Sequence, residues 1–455
     1  MEMVLEFLRD VLSQPALLIG IMSCIGLIAL KRPFHKVMTG TLKPILGYLM
    51  LAAGAGVIVN NLDPLGKMIE HGFHITGVVP NNEAIVAVAQ KVLGVETMSI
   101  LVVGLLMNLC IARFTKFKYV FLTGHHSLFM ACLMSAVLGT AGLSGMELIL
   151  VGGFLMGAWS AISPAIGQSY TSKVTDGDEI AIGHFGSLGY YLSAWVAKYV
   201  GKAEDSTEDI EIPEKWGFLR DSTLSTALTM IVFYLIAAFA AGSEFVATLS
   251  GDMSPYLYAV MSAMNFAVGV TIVYSGVRMI LGDLIPAFQG IATKIIPNAI
   301  PAVDCAVFFT YAPTAVVLGF ISSFIGGIIG MLILGAVGGV LIIPGLVPHF
   351  FCGATAGIYG NATGGRRGAA VGAFLNGLAI TFLPALALPV LGQLGFQNTT
   401  FGDADFAVMG LVLGHAFEWI GMAGIYGIVA IAALVLIIPN FIKTKGKVIN
   451  YVEEE

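Results

Sequence analysis

The stretch CAVFFTYAPTAVVLGFISSFIGGIIGMLILGAVGGVLIIPGLVPHFFCGATAGIYGNATGG, residues 305–365, decides the fold class. It contains 61 residues without one Asp, Glu, Lys or Arg. A helix needs about 20 apolar residues to cross a bilayer, so a single helix cannot use the whole run. We divide it into two spans that meet at Gly326-Gly327, with a buried segment behind them. An uncharged run of this length predicts a chain that lies mostly in lipid.

The rest of the chain has the same character. Its 455 residues are 57% hydrophobic and 11% charged, against roughly 25% charged in an average soluble protein, and this excludes a soluble globular enzyme. The net charge of −6 comes without a long basic run, so electrostatics argue against nucleic acid as a partner. The five cysteines include no C-x-x-C pair, and we assign them to core packing.

Eleven segments are apolar enough to be predicted as membrane spans. They cover 15–30, 43–60, 97–112, 119–139, 147–168, 223–243, 255–277, 305–325, 326–344, 369–392 and 419–442. Lys and Arg mark the cytoplasmic side of a membrane protein, and 19 of the 22 basic residues fall inside when the N-terminus lies outside. The sequence therefore predicts an all-α polytopic membrane protein with its N-terminus outside and its C-terminus in the cytoplasm.

The chain also matches itself at an offset of 222 residues. The matched pairs are Gly47/Gly269, Gly54/Gly276, Leu62/Leu284, Pro64/Pro286, Ile69/Ile291, Ala84/Ala306, Asn61/Asp283 and Asn82/Asp304. In the predicted topology the two copies cross the membrane in opposite directions. We therefore predict an inverted repeat of five plus five spans followed by one C-terminal span. A chance match within a glycine-rich apolar sequence is the alternative.

The predicted organisation has six parts. They are an interfacial N-terminal helix at 1–14, the first transmembrane repeat at 15–168, a cytoplasmic loop with a re-entrant part at 169–222, the second, inverted repeat at 223–392, an outer loop with the last span at 393–442, and a cytoplasmic tail at 443–455. Segments 61–96, 281–303 and 345–368 are too polar, or too broken by Pro and Gly, for lipid-facing helices. We predict that they form re-entrant hairpins.

Three histidines are candidates for a substrate site, because imidazole rings at membrane depth are costly unless they face a cavity. His125 and His126 stand in LTGHHS at the start of the fourth span, and His184 ends the string DGDEIAIGH. The alternative for His125 and His126 is an interfacial pair bonded to backbone carbonyls. The alternative for His184 is a solvated loop residue.

Asp304 precedes the uncharged run, where a carboxylate must be paired or bound to a ligand. At the matched position of the other half stands Asn82, with Glu83 beside it. Polar groups at related points of an inverted repeat converge on a central site, where their oxygens can accept hydrogen bonds from the hydroxyl groups of a small polyol or sugar acid. Capping of a re-entrant helix is the alternative.

The other acidic pairs are assigned structural roles. We interpret Asp403 and Asp405 as solvated or capping residues of the last outer loop, and Asp176 with Asp178 in the same way in an inner loop. Neither pair has a partner cluster at metal-ligand spacing, and the sequence has no Walker loop and no nucleophile elbow. We therefore predict no catalytic residue, no metal and no cofactor on this chain.

Several strings resemble the L-ascorbate family of bacterial phosphotransferase-system membrane components, the enzyme IIC permeases. They are LTGHH at 122–126, KVTDGDEIAIGH at 173–184, PAVDCAVFFTYAPTAVVLGF at 301–320, IIPGLVPHFF at 342–351 and GYLMLAAGAG at 47–56. The likeness covers nearly the whole chain. It implies a homodimer in the bacterial inner membrane, whose protomers each have a transport core and a scaffold and move the substrate by an elevator-like displacement of the core.

The resemblance also implies partners and site residues. A cytoplasmic IIB protein, itself charged by a IIA protein, would phosphorylate the delivered sugar, and the IIC chain would only present it. Carried over by motif, the substrate-contacting candidates are His125, His184 and Asp304. Weaker candidates are His126, Asn82, Glu83, Gly54, Ala55 and Gly56.

The sequence departs from the ascorbate pattern at three places. That pattern has glutamine at the positions of Phe185, Phe129 and Ala52, and each replacement removes an amide that could bond the substrate. The expected substrate is therefore ascorbate or a related sugar or sugar acid. An ion-coupled secondary transporter with Asp304 or Glu83 as the ion site is the alternative. An intramembrane enzyme with His125 and Asp304 as acid and base is a third hypothesis.

Overall fold

The computed structural model describes residue 11 and residues 14–74, 77–80, 82–177, 179–210, 222–392 and 399–441. The predicted interfacial helix at 1–14 lies almost wholly, and the tail at 443–455 wholly, outside these residues. The α-helices of the described part are α1 Pro15–Ala29, α2 Phe34–Gly72, α3 Asn82–Phe114, α4 Gly124–Thr140, α5 Gly145–Ile166, α6 Gln168–Thr175, α7 Ser187–Val200, α8 Ser222–Ala241, α9 Ser243–Ser250, α10 Pro255–Lys294, α11 Pro313–Ala336, α12 Leu346–Gly392, α13 Ala404–Ile420 and α14 Met422–Ile437.

Five short strands and two 3₁₀ segments complete the described part. They are β1 Val79–Pro80, β2 Tyr119–Phe121, β3 Ala181–Ile182, β4 Ile300–Val303 and β5 Thr399–Thr400, with 3₁₀ turns at Cys305–Thr310 and Ile438–Phe441. The prediction of a mostly helical, multi-pass membrane protein is confirmed, and the strands are an addition to it. Backbone outside helices is tolerated at membrane depth only where it is enclosed by protein, and the β2 side chains are fully buried.

Among the described residues, seven helices are long and apolar enough to cross a membrane. A bent pair, Thr226–Ala241 with Ser243–Ser250, is a further span if it counts as one. Several of the eleven predicted segments have a different form. The segment 119–139 begins with β2 and continues as the 17-residue α4, which is almost wholly buried. The segment 15–30 is the 15-residue α1.

The predicted division of the uncharged run at Gly326-Gly327 is wrong. One helix, α11, passes through both glycines from Pro313 to Ala336. The two glycines do not break the helix. Gly326 instead allows α11 to pack closely against α12, since a Cβ at this position would lie 2.2 Å from the carbonyl oxygen of Phe374. The second crossing of the run is instead made by α12, which has non-helical backbone at Gly364 and Gly365.

Helices α2 and α10 are the two copies of the repeated segment. Shifted by 222, the bounds of α2 become 256–294, and α10 covers 255–294. Their glycines meet crosswise: a Cβ at Gly54 would lie 2.7 Å from the carbonyl oxygen of Gly269, and one at Gly47 would lie 2.8 Å from that of Gly276. Small residues at such crossings let two helix backbones approach closely in a membrane. The two helices therefore pack antiparallel along their glycine faces.

The short strands form two small parallel sheets. In one, β4 lies between β2 and β3, with Tyr119 paired to Ile300 and Ala181 to Ala302. In the other sheet, β1 pairs with β5. Val78, the residue before β1, forms an isolated bridge with Ile342. A loop or helix start follows the carboxyl end of each strand, and the polar residues of the candidate site stand at these ends.

Candidate functional site

A cavity of about 790 Å³ lies where the ends of the two sheets face helix α2. One cluster of polar residues in its lining consists of Tyr48, Asn82, His125, His126, His184, Asp304 and Asp403, and Gln14, Asp63, Lys67 and Glu70 line it as well. Phe129 and Phe351 contribute aromatic walls, and α2 contributes the small apolar residues Ala52 and Ala55. A largely apolar cavity with a few converging polar groups is the usual form of a small-molecule site.

His125 and Asp304, both candidates from the sequence, meet in this cavity. The Nε2 atom of His125 lies 3.4 Å from Oδ2 of Asp304, and its Nδ1 atom lies 3.2 Å from the hydroxyl oxygen of Tyr48. Asp304 is buried and directly follows β4, and its Oδ1 accepts a hydrogen bond from the amide of Ala306. The Asp304 carboxylate thus both caps the following 3₁₀ turn and orients the His125 ring.

His126 and His184 are both buried, and their rings are in contact, with centroids 3.8 Å apart and planes tilted by 46°. The backbone N–H of Phe185 donates to Nδ1 of His126, and that of Gly186 donates to Nδ1 of His184. The Tyr190 hydroxyl also lies 2.8 Å from Nδ1 of His184. The backbone at residues 185 and 186 thus holds both rings in place beside the other polar groups of the cavity.

Asp403 is the main residue that the sequence analysis missed. It is 4% exposed and lines the cavity, and at the N-cap of α13 its side chain forms no capping hydrogen bond, so its assignment as a solvated or capping residue is wrong. Its carboxylate accepts hydrogen bonds from Nδ2 of Asn82 at 2.6 Å and from Sγ of Cys352 at 2.8 Å, and it lies 3.9 Å from Nδ1 of His184. The short pairing of β1 with β5 brings it there, and neither strand has a recognisable sequence pattern. The apolar neighbours in FGDADF were the one available signal.

The other predicted site residues divide into three groups. Ala55 and Asn82 line the cavity, and the Asn82 amide donates to Asp403 and accepts from the backbone N–H of Gly402. Gly54 faces α10 rather than the cavity, and a Cβ at Gly56 would meet no atom within 4 Å. The side chain of Glu83 lies outside the described part of the structure.

Two overlapping sets of side chains could hold a metal ion by distance alone. One ligand atom each from His126, His184 and Asp403 lie within 4.8 Å of one another, and the same holds for His184, Asp304 and Cys305. A histidine that binds metal through Nε2 normally donates its Nδ1 proton to another group. Here Nδ1 of His126 and of His184 faces a backbone donor instead. The arrangement favours hydrogen bonds to a ligand's hydroxyl groups over metal coordination.

Asp405 is also buried, with no exposed surface, but it holds the site together instead of facing the cavity. Its carboxylate accepts hydrogen bonds from Nε1 of Trp159, Oγ of Ser187 and the amide of Leu188. Its own amide donates to the carbonyl oxygen of Phe185. The loop that carries His184 is thereby fixed to the helix start that carries Asp403.

We expect Asp405→Ala to destabilise the folded protein by roughly 1–3 kcal/mol, because three buried donors would lose their acceptor. Thermal unfolding of the purified protein in detergent measures the effect. Asp252→Ala is the matched control, since Asp252 is exposed. Equal unfolding temperatures for the two variants would contradict the assigned role of Asp405.

With the geometry described, comparison with known proteins identifies the family. The EIIC-GAT family model, described as PTS system sugar-specific permease component, matches residues 10–405. The ascorbate-specific PTS system EIIC component of Mycoplasma pneumoniae is 28% identical over 417 residues, which cover 78% of this chain and 62% of that protein. The chain thus spans less than two thirds of that relative's length. The predicted resemblance is confirmed, and the chain belongs to the sugar-specific permease family of the phosphotransferase system.

Proposed function

We propose that this chain is an enzyme IIC permease that carries L-ascorbate or a related sugar or sugar acid across the bacterial inner membrane. One observation carries the proposal: the imidazole rings of His126 and His184 and the carboxylates of Asp304 and Asp403 line the same cavity. A compound rich in hydroxyl groups can use donors and acceptors together. Family membership and the ascorbate-specific relative point to the same class of compound.

The driving force is proposed to come from outside the chain. A cytoplasmic IIB protein, charged by IIA, phosphorylates the delivered substrate, and the phosphorylated product cannot return. The sequence has no nucleotide-binding loop, which fits this division of labour. The catalytic residues of phosphoryl transfer then belong to the partner proteins, and this chain binds, orients and releases the sugar.

The chain is proposed to be an inverted repeat that is organised as a transport core and a scaffold. During transport the core would move relative to the scaffold. The glycine contacts between α2 and α10 support it. Gly47 meets Gly276, the counterpart of Gly54, and Gly54 meets Gly269, the counterpart of Gly47. A second support is that α12 begins at Leu346, 222 residues after the start of α4 at Gly124. Such contacts are what a two-fold axis between inverted halves produces.

The positions of the site residues suggest how the core and the scaffold divide. The elements that carry most polar site residues are assigned to the core, and helix α2 is assigned to the scaffold. Except for Tyr48, the polar groups of the site lie on the strand ends and helix starts of the core. Helix α2 lines this cavity with an apolar stretch, Leu51, Ala52, Ala55 and Val59, and with Asp63, Lys67 and Glu70 further along the helix. In this proposal the core slides past the apolar stretch, as elevator transport requires. A homodimer that holds the scaffold fixed completes the proposal.

The proposed orientation places the N-terminus outside and the C-terminus in the cytoplasm. We expect a cysteine in place of Asp252 to react with a membrane-impermeant maleimide in sealed cells, and a cysteine in place of Asp209 to react only after the membrane is broken. Both positions are exposed, and a background without the five native cysteines isolates the signal. The reverse pattern would overturn the orientation.

The function itself is tested by uptake into cells that express the chain with or without a working phosphoryl relay. Labelled ascorbate, polyols, pentoses and sugar acids are offered, and the intracellular product is identified. We expect a phosphorylated product that disappears with the relay. Unmodified compound that accumulates without the relay would favour an ion-coupled transporter, in which the buried carboxylates of Asp304 and Asp403 are the ion site.

A further inference from the structure

Two buried side chains behind the cavity are connected to its polar groups. Tyr190 on α7 is fully buried, and Cys352 on α12 is 1% exposed. Neither is among the residues that line the cavity, although each contacts one that does. The hydroxyl oxygen of Tyr190 lies 2.8 Å from Nδ1 of His184, and Sγ of Cys352 donates to Oδ1 of Asp403 at 2.8 Å. A compound in the cavity can therefore touch His184 and Asp403, whereas the two groups behind them stay out of its reach.

The same two side chains face each other around Gly186. A Cβ at Gly186 would lie 2.6 Å from the hydroxyl oxygen of Tyr190 and 3.1 Å from both Sγ of Cys352 and Nδ1 of His184. The hydroxyl and the thiol are in hydrogen-bonding contact in this space, which only a glycine leaves open. Nδ1 of His184 and Oδ1 of Asp403 are themselves 3.9 Å apart, which is too long for a hydrogen bond. The hydroxyl and the thiol bridge this gap from behind.

Each of these two groups restrains one group of the cavity. Nδ1 of His184 is held by the Tyr190 hydroxyl and by the amide of Gly186. Oδ1 of Asp403 is held by the Cys352 thiol, while its Oδ2 accepts from Asn82 at 2.6 Å. A binding site needs its groups held within roughly 0.5 Å of the productive geometry, and partners behind the contacting residues supply this restraint. Removing the hydroxyl or the thiol therefore loosens one group that faces the cavity.

We propose that Tyr190 and Cys352 are positioning residues, which set the affinity of the site by fixing His184 and Asp403 without touching the transported compound. This rests on the proposed transport function, which assigns the cavity to that compound. The hydroxyl and the thiol each contribute one neutral hydrogen bond, and the loss of one such bond corresponds to a change of about three- to tenfold in affinity. Because the two residues stand on different helices, the bridge also ties α7 to α12 beside the site.

Uptake kinetics of conservative variants, measured in cells with a working phosphoryl relay, test the proposal. Ascorbate, a hexitol, a pentitol and an aldonate are offered, and the compound with the highest rate serves as the probe. We expect Tyr190→Phe, which removes only the hydroxyl, to raise KM about three- to tenfold and to leave the maximal rate per protein within about twofold. Cys352→Ala should behave in the same way. Cys352→Ser keeps a donor and should restore KM to within about twofold of the unmodified protein.

Two control variants remove a buried group of the same kind elsewhere. Tyr359 is also fully buried, and its hydroxyl bonds Thr171 instead of a cavity residue, while Cys132 is fully buried in α4. Tyr359→Phe and Cys132→Ala should leave KM unchanged, even where they lower the unfolding temperature as much as the test variants do. An equal rise in KM in test and control variants would overturn the inference, and so would an unchanged KM in both Tyr190→Phe and Cys352→Ala.

A measurement without any transported compound separates this inference from the transport function. In protein with isotope-labelled histidines, the ring signal of His184 is the nuclear magnetic resonance signal that disappears in His184→Gln. Tyr190→Phe should shift this signal, and Tyr359→Phe should leave it in place. A shifted signal with no uptake of any offered compound would support the bridge and overturn the transport proposal. An unshifted signal overturns the inference whatever the uptake shows.

Discussion

Replacing Asp304 by Asn is expected to lower uptake by about 100-fold or more while the protein still reaches the membrane. The carboxylate of Asp304 faces Nε2 of His125 and accepts the amide of Ala306. An amide group in its place has a single acceptor oxygen and no charge, so His125 loses the partner that orients its ring. His125→Ala should reduce uptake to a similar extent, because it removes that ring from the cavity.

Initial uptake rates, normalised to the amount of protein in the membrane, measure this loss. The double variant should be no worse than the more impaired single variant, because the two side chains act as a unit. Asp209→Asn is the control, since Asp209 is exposed on the segment after α7. Normal uptake by both single variants would remove His125 and Asp304 from the site.

Replacing Gly54 by Val is expected to destabilise the folded protein by about 3 kcal/mol or more. A Cβ at this position would lie 2.7 Å from the carbonyl oxygen of Gly269 and 2.8 Å from the amide nitrogen of Val273. Both contacts are backbone, so no side chain can rotate away, and α2 and α10 would have to separate. We expect a lower yield of monodisperse protein and a lower unfolding temperature in detergent.

Gly56→Val provides the matched control for this variant. Gly56 stands two residues further along the same helix, and a Cβ there would meet nothing within 4 Å. Its effect on stability should stay within about 0.5 kcal/mol, the usual range for surface substitutions. If Gly54→Val and Gly56→Val behaved alike, the close approach of α2 and α10 along their glycines would be contradicted.

The sequence predicted those site residues that are costly to place in lipid, because a polar group beside a long apolar segment can be recognised without a structure. His125 and Asp304 are polar groups next to long apolar stretches, and such groups must find partners. Asp403 was missed because its partners come from far along the chain, Asn82 before it and Cys352 in an apolar run. Its burial depends on the two-residue pairing of β1 with β5, which leaves no periodic pattern to read.

The fold, like the site, could be predicted from the sequence only in part. Long apolar segments correctly predicted a mostly helical, multi-pass membrane protein, but not the form of every predicted span, since seven helices of the described residues are long and apolar enough to cross. The uncharged run at 305–365 was divided at the wrong glycines. Gly326 and Gly327 sit inside α11 and serve its contact with α12, whereas the backbone departs from helical geometry at Gly364 and Gly365. Glycine is used both for close packing and for breaks, and only tertiary contacts distinguish the two uses.

The transported compound is proposed to bind in the cavity between the two sheets and α2. The most direct measurement is an experimental structure of the protein with that compound bound, once uptake has identified it. The account predicts density within hydrogen-bonding distance of His184 and of Asp304 or Asp403, with a carbon face against Phe129 or Phe351. Density for the compound elsewhere, with this cavity filled only by water, would contradict the account.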